Sequence, residues 1–111
     1  MDCIFCKIAA GETDTKFLYE DEQVVAFPDI HPQAPVHVII APRKHVQSLN
    51  QLNDAELFIV AVMVKAAKQV AFDKGILDSG YRLVINTGKE GGQVVQHLHM
   101  HLLGGKRYTD V

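Results

Sequence analysis

The residues whose side chains could most readily carry out chemistry are three histidines near the end of the sequence, which alternate with apolar residues. His97, His99 and His101 are separated by Leu98 and Met100. On a β-strand alternate side chains share a face, so this spacing predicts the imidazoles on one face and the apolar residues against a helix on the other. An imidazole can bind a metal or act as a nucleophile, and the spacing alone allows both chemistries.

A glycine-rich turn just before the histidines favours the nucleophilic chemistry. Gly91 and Gly92 allow the backbone to approach an anion closely, and Gln93 adds side-chain donors. No acidic residue lies within the six positions before His97, although a hydrolytic zinc site usually has a carboxylate near its metal. The pattern therefore indicates a phosphate-bearing substrate, with a zinc hydrolase built on the three histidines as the alternative.

Composition and charge restrict the partners. The 111 residues suit one domain, residues 1–111, and 48% hydrophobic with 22% charged residues is typical of a folded protein. The net charge of −2 implies no basic face, which argues against duplex nucleic acid as a partner. Glu56, Lys65 and Lys68 interrupt the most apolar segment and no signal peptide is visible, so we expect no membrane segment and a cytoplasmic location.

Cys3 and Cys6 form a C-x-x-C pair near the start of the chain. In a reducing compartment such a pair indicates metal binding or redox chemistry more than a structural disulfide. The two residues would also fit a short helix as small side chains that behave as apolar groups. The pair by itself leaves these roles open.

The hydrophobic pattern predicts one short helix, one long helix and five strands. The short helix is expected over residues 4–10. Asn53 and Glu56 form a capping-box signature, which predicts a long helix over residues 54–74 that ends before Gly75. The predicted strands cover residues 17–20, 23–27, 36–41, 81–86 and 94–103. Strands around one long helix indicate an α+β fold with a mostly antiparallel sheet.

Several motifs, in order along the chain, resemble those of one known family. Residues 97–103 resemble the His-φ-His-φ-His-φ-φ signature of the histidine triad (HIT) proteins, in which φ is apolar. Gly91-Gly92-Gln93, Gly104-Gly105 and the block of residues 27–37 are similar to the nucleotide-binding branch, the purine nucleoside phosphoramidases. The resemblance implies the HIT fold, with about five strands, one long and one short helix, and one antiparallel sheet extended across a homodimer.

The resemblance also implies a reaction and its residues. Members of this branch hydrolyse adenosine or guanosine 5′-phosphoramidates, including adenylated lysine, and also aminoacyl adenylates, so the implied partner is a purine nucleotide or its conjugate. By position, His99 is the nucleophile that forms a nucleotidyl-histidine intermediate, and His101 contacts the phosphate. His97 and His37 belong to the surrounding hydrogen-bonded shell, and catalysis requires no cofactor. The implied nucleotide-binding residues are Phe5, Ile8, Phe27 and Ile30 at the base, Asp29 at the ribose, and Asn86, Gly92 and Gln93 at the phosphate and ribose.

One position departs from the family pattern. After Gly92-Gln93, eukaryotic members usually carry a serine, whereas this chain carries Val94, which offers the phosphate only its backbone amide. The resemblance therefore implies the reaction class, but not its rate or its preferred leaving amine. A dinucleoside polyphosphate hydrolase and a nucleotide-binding module with vestigial activity remain as alternatives.

The same resemblance implies a role for the cysteine pair. In some bacterial HIT proteins a similar pair joins two histidines in a structural zinc site. One of these histidines follows a Pro-basic-basic sequence, here His45 after Pro42-Arg43-Lys44, and the other is the first of the triad, His97. The resemblance therefore implies a structural zinc site of Cys3, Cys6, His45 and His97 that fastens the first helix to the catalytic strand.

Overall fold

A five-stranded antiparallel sheet forms the centre of the computed structural model, which describes residues 2–111. Its strands lie in the order β1-β2-β3-β5-β4, and each neighbouring pair is antiparallel. The strands are β1 (Tyr19–Glu20), β2 (Val24–Pro28), β3 (Val36–Pro42), β4 (Tyr81–Val84) and β5 (Met100–Gly104). The helices are α1 (Ile4–Ala9) and α2 (Phe58–Asp73), with short 3-10 turns at Leu49–Gln51 and Asp54–Glu56. The predicted α+β class is confirmed.

Helix α2 covers one face of the sheet because its apolar residues meet every second residue of the central strands. This core contains Val24, Ala26, Val38 and Ile40 from the sheet and Met63, Ala66, Ala67 and Val70 from the helix. Leu98, Met100 and Leu102 belong to the same core, as their alternation with the histidines predicts. The histidines are therefore directed away from α2.

The short helix α1 covers only part of the opposite face. Phe5 and Ile8 of α1 pack there against Phe27 of β2 and Ile39 of β3. Because α1 contains only six residues, it leaves the ends of β3 and β5 open on this face. His37, His99 and His101 border this open region.

The capping box is confirmed, but it begins a different element from the one predicted. Asn53 Oδ1 accepts from the Glu56 N–H at 3.0 Å, and Glu56 Oε1 accepts from the Asn53 N–H at 3.1 Å. These bonds cap the 3-10 turn Asp54–Glu56, and the α-helix itself begins at Phe58. Gly75 follows the helix with a φ of 72°, the left-handed conformation expected after a helix end.

The last strand begins six residues later than predicted, at Met100 instead of residue 94. Pairing of β3 with β5 ends at Ile40 and Met100. Two residues further along β3 stands Pro42, which has no N–H to continue the ladder and whose carbonyl accepts from His97 Nε2 at 2.8 Å. His97 and His99 therefore precede the strand. The other predicted strands and the short helix agree with the structure to within two residues.

The two edges of the sheet are β1 and β4. All four residues of β4 are half-buried, although no strand of residues 2–111 pairs with its outer side. Within the described chain, no helix combines the length and apolarity needed to cross a membrane.

Candidate active site

A cleft of about 440 Å³ lies beside α1 on the open face of the sheet. Most of the predicted catalytic and nucleotide-binding residues line it, namely Phe5, Ile8, Phe27, Asp29, Ile30, His37, Asn86, Gly92, Val94, His99 and His101. Ile4 and Ile39 also line it and were not predicted. Ile39 lies two residues after His37, on the same face of the strand, and pairs with His101. The strand pattern of residues 36–41 could therefore have identified it. Gln93 and His97 do not line the cleft.

His99 is held as a neutral imidazole with one free lone pair. Its Nδ1 lies 2.7 Å from the backbone oxygen of His97. Because a carbonyl oxygen only accepts, Nδ1 carries the proton and Nε2 retains its lone pair. Burial lowers the pKa of His99, outweighing the His97 carbonyl and Asp29, which act in the opposite direction. The ring of Phe5 contacts His99 edge-on at 4.9 Å between centroids. Such a group can act as a nucleophile at neutral pH.

His101 is oriented by a chain of hydrogen bonds that starts at the backbone. The Gln33 N–H donates to His37 Nδ1 at 2.9 Å, so the proton of neutral His37 lies on Nε2. His37 Nε2 lies 2.9 Å from His101 Nδ1 and 3.3 Å from Asp29 Oδ2. When His37 donates to His101 Nδ1, the proton of neutral His101 lies on Nε2. His101 thus offers an N–H donor to the cleft.

The titration of His101 predicts a loss of stability in weak acid. Burial, then His99 and His37, lower the pKa of His101 from 6.5 to about 4, against the opposing effect of Asp29. Between these values the unfolded chain binds a proton that the folded chain does not, so the free energy of unfolding falls as the pH falls from 6.5 towards 4. For this half-buried group, we expect a contribution of about 1–2 kcal/mol after solvent screening.

Urea unfolding at pH 7.5 and pH 4.5 measures this contribution when wild type is compared with His101→Gln. Over this interval the free energy of unfolding of the wild type should fall by about 1–2 kcal/mol more than that of the variant, because glutamine does not titrate. Equal losses in the two proteins would contradict the lowered pKa of His101.

The side chain of Gln93 stabilises the glycine turn and does not line the cleft. Its Oε1 accepts from the Gly88 N–H at 3.0 Å, and its Nε2 donates to the carbonyls of Gln47 and Val95 at 2.7 and 3.1 Å. Both amide hydrogens are thus engaged within the protein, and the role of Gln93 towards a phosphate stays a prediction. Gly92 lies in this turn with a φ of 79°, which favours glycine.

Three other predicted residues lie at the margin of the cleft. Val94 and Ile30 are 88% and 85% exposed, so their apolar side chains are available to a ligand. Asn86 Nδ2 donates to the Gly91 carbonyl at 2.8 Å, which ties the glycine turn to the end of β4. The margin of the cleft therefore combines two apolar side chains with one amide.

The four predicted metal ligands lie together behind the cleft. One ligand atom from each of Cys3, Cys6, His45 and His97 lies within 4.8 Å of the others. His97 Nδ1 lies 3.2 Å from Cys3 Sγ and 3.5 Å from Cys6 Sγ, and His45 Nδ1 lies 3.3 Å from Cys6 Sγ. Tetrahedral zinc requires S···N separations of about 3.6 Å between neighbouring ligands, so the cluster has nearly the required size.

The protonation of His97 also fits a metal ligand. Its Nε2 donates to the Pro42 carbonyl, which leaves the Nδ1 lone pair directed at the two sulfurs. Burial and Cys3 raise the pKa of the Cys6 thiol to about 11, so the metal-free protein holds a protonated sulfur that can donate to an imidazole. The residues present can therefore hold zinc after losing thiol protons, or form S–H···N hydrogen bonds without it.

A second group of possible ligands, Asp29, His37 and His101, is less suited to a metal. A metal on His37 Nε2 would place the imidazole proton on Nδ1, where the Gln33 N–H already points. His97 contributes its side chain to the cysteine cluster, so the three alternating histidines do not converge on one point. The geometry therefore argues against the predicted alternative of a hydrolytic zinc site on these histidines.

Comparison with known proteins agrees with this arrangement. The family model of the HIT domain matches residues 10–108. The chain belongs to the HIT family. The purine nucleoside phosphoramidase of Escherichia coli (strain K12) is 41% identical over 95% of this chain and 88% of its own length. The predicted family is confirmed, and this HIT protein is a member of a hydrolase family.

Solved HIT structures show the same fold. A histidine triad protein from Clostridium difficile superimposes with a TM-score of 0.96 and 44% identity, covering 100% of this chain and 96% of the other. A HIT family hydrolase from Legionella pneumophila has a TM-score of 0.93 and 45% identity, covering 97% and 96%. The predicted HIT fold is therefore confirmed.

Proposed function

We propose that this protein hydrolyses the P–N bond of adenosine or guanosine 5′-phosphoramidates, such as adenylated lysine, and the corresponding P–O bond of aminoacyl adenylates, through a nucleotidyl intermediate on His99. The observation that carries the proposal is the hydrogen bond from His99 Nδ1 to the His97 carbonyl, which leaves a neutral Nε2 lone pair. The similarity to a purine nucleoside phosphoramidase supports the P–N bond as the target.

The reaction follows from the two imidazoles of the cleft. His99 Nε2 attacks the α-phosphorus, and the P–N bond breaks as the amine takes a proton from solvent and leaves. Water then attacks the same phosphorus and releases a proton to solvent, the bond to His99 breaks, and the nucleoside monophosphate is released. The His101 N–H donates to a phosphate oxygen and stabilises the charge that develops there. Two easier displacements replace one difficult displacement.

The cleft also has the groups that a purine nucleoside needs. Phe5, Ile8 and Phe27 form an apolar wall, against which a base can pack, and Ile30 is free to cover it. Asp29 Oδ1 accepts from the His31 N–H at 2.8 Å, which fixes the carboxylate at the end of β2. We assign the ribose hydroxyls to this carboxylate, because vicinal hydroxyls donate well to an anionic acceptor.

Asp29→Asn should weaken substrate binding more than turnover. Loss of a charge-assisted hydrogen bond of roughly 1.5–3 kcal/mol raises KM for adenosine phosphoramidate by about tenfold to a hundredfold. The matched control is the 2′,3′-dideoxy substrate, for which wild type and variant should have similar KM values. If Asp29→Asn raises KM for the dideoxy substrate as much as for the ribose substrate, the assignment of Asp29 to the ribose is wrong.

Zinc, when bound, would be held by Cys3, Cys6, His45 and His97 as a structural ion. Four protein ligands leave no open position for water, so the ion supplies no Lewis acid to the reaction. Catalysis then requires no cofactor, and the nucleophile, the phosphate donor and the ribose acceptor are all side chains of this chain.

A homodimer that extends the sheet through β4 accords with two features of the surface. The outer edge of β4 provides unpaired backbone groups for a second strand. On α2, Phe58 and Phe72 are 50% and 64% exposed, which is a large apolar exposure for one helix. Light scattering during size-exclusion chromatography tests the proposal, since a mass near 12.3 kDa at micromolar concentration would contradict it.

The reaction itself is tested with a fluorogenic adenosine phosphoramidate and a diadenosine polyphosphate measured side by side. We expect kcat/KM for the phosphoramidate to exceed that for the polyphosphate by about a hundredfold, a difference of about 2.7 kcal/mol in transition-state binding. A faster polyphosphate reaction would favour the dinucleoside polyphosphate hydrolase. Binding of AMP with no turnover of either substrate would favour the vestigial module.

A further inference from the structure

The cysteine–histidine cluster and the cleft share one residue, His97. Its imidazole lies among the cysteines, with Nδ1 3.2 Å from Cys3 Sγ. Its backbone oxygen accepts the proton of His99 Nδ1 at 2.7 Å. His97 therefore joins the two sites: its side chain belongs to the cluster, and its backbone oxygen orients the nucleophile.

Phe5 forms a second connection between the two sites. It lies in the sequence between Cys3 and Cys6, both members of the cluster. Its ring contacts His99 and Phe27 at 4.9 and 5.5 Å between centroids, and His97 at 5.9 Å. The residue that forms the apolar wall beside the nucleophile is thus held by the segment that supplies both sulfurs.

Helix α1 is too short to be stable without such anchors. A helix of six residues does not persist in water by itself. Arg43 Nη1 donates to the Ala9 carbonyl at 2.8 Å and fixes the C-terminal end. At the N-terminal end, the cysteines meet His45 and His97. A metal there would join three separate segments of the chain and hold Phe5 against the cleft.

We infer that Cys3, Cys6 and His45 are positioning residues for nucleotide binding, so that zinc in the cluster and a purine nucleotide in the cleft bind with positive cooperativity. The inference rests on the proposed function, because it requires the cleft to be the nucleotide site. Coupling free energy is reciprocal: zinc must increase the affinity for nucleotide by the same factor by which nucleotide increases the affinity for zinc.

Two measurements on the wild-type protein test this reciprocity. Calorimetric titration with AMP should give a Kd about tenfold lower for zinc-loaded than for zinc-free protein, within the usual range of coupling between sites. Competition with a chelating dye should show that saturating AMP increases the affinity for zinc by the same factor.

Phe5→Leu is the matched variant, since it keeps all four ligands but removes the ring between the sites. It should bind zinc normally, while the AMP effect on zinc affinity falls to about twofold or less. A purely structural zinc would leave zinc affinity independent of AMP in wild type, and that result would overturn the inference. Equal coupling in wild type and Phe5→Leu would overturn the role of Phe5. Failure of zinc-loaded wild type to bind AMP would contradict the proposed function as well.

Discussion

His99→Ala is expected to reduce kcat for an adenosine phosphoramidate by about 10,000-fold or more, as removal of a covalent nucleophile typically does. The imidazole at this position is the one whose Nδ1 proton is bound by a carbonyl and whose Nε2 lone pair is free. His101 cannot replace it, because His101 Nδ1 already accepts from His37. A continuous or quenched assay of amine release measures the fall in kcat.

Two controls separate lost chemistry from lost folding. His99→Ala should still bind AMP, since the apolar wall, Asp29 and His101 remain. His31→Ala is the matched histidine variant, because His31 is exposed in the loop after β2 and lies at the margin of the same cleft. We expect His31→Ala to turn over substrate at nearly the wild-type rate. Comparable turnover by His99→Ala and wild type would exclude His99 as the nucleophile.

Zinc loading is expected to produce the largest change in stability. A free zinc concentration 1,000 times the Kd contributes about 4.1 kcal/mol, which raises the Tm of a domain of this size by about 15–25 °C. The physical reason is that the ion links Cys3, His45 and His97, which lie in three distant parts of the sequence. Calorimetric melting of reduced protein, with and without zinc, measures the effect.

Cys3→Ser and Cys6→Ser provide the controls, because these are the only two cysteines in the chain. Each variant should lose most of the increase in Tm while remaining folded without metal, because serine can still donate to the nearby imidazole. Cobalt(II) should give sulfur-to-metal charge-transfer absorption in the wild type and a weaker band in each variant. An identical Tm for wild type with and without zinc, together with no metal in the purified protein, would contradict the proposed site.

The parts of the fold that the sequence predicted well depend on local periodicity. Leu98, Met100 and Leu102 lie under α2 because alternation between two faces is a property of the extended backbone itself. The capping box at Asn53 and Glu56 is likewise a contact between residues three positions apart. Such short-range patterns carry over directly from sequence to structure.

The differences from the sequence predictions arose where a distant residue decides the local structure. The last strand begins late because Pro42, on another strand, ends the pairing. Gln93 does not line the cleft because its amide finds the carbonyl of Gln47, 46 residues away in the sequence. Neither partner can be identified from the residues around 94.

The candidate site likewise combines a local pattern that the sequence showed with long-range contacts that it did not show. Strand alternation correctly directed all three histidines away from α2, but it could not divide them between two sites. In the structure His97 points into the cysteine cluster, whereas His99 and His101 face the cleft. The meeting of Cys3 with His97, 94 residues apart, was expected only from the family resemblance.

The central claim, a nucleotidyl intermediate on His99, is tested most directly by rapid acid quenching of the reaction followed by intact-mass and peptide mass spectrometry. During turnover of an adenosine phosphoramidate, we expect wild type to carry one adenylyl group, located on His99 and absent from His99→Ala. The adduct should decay as AMP appears. Steady turnover with no adduct at any quench time, or an adduct on His97 or His101 in its place, would contradict the mechanism.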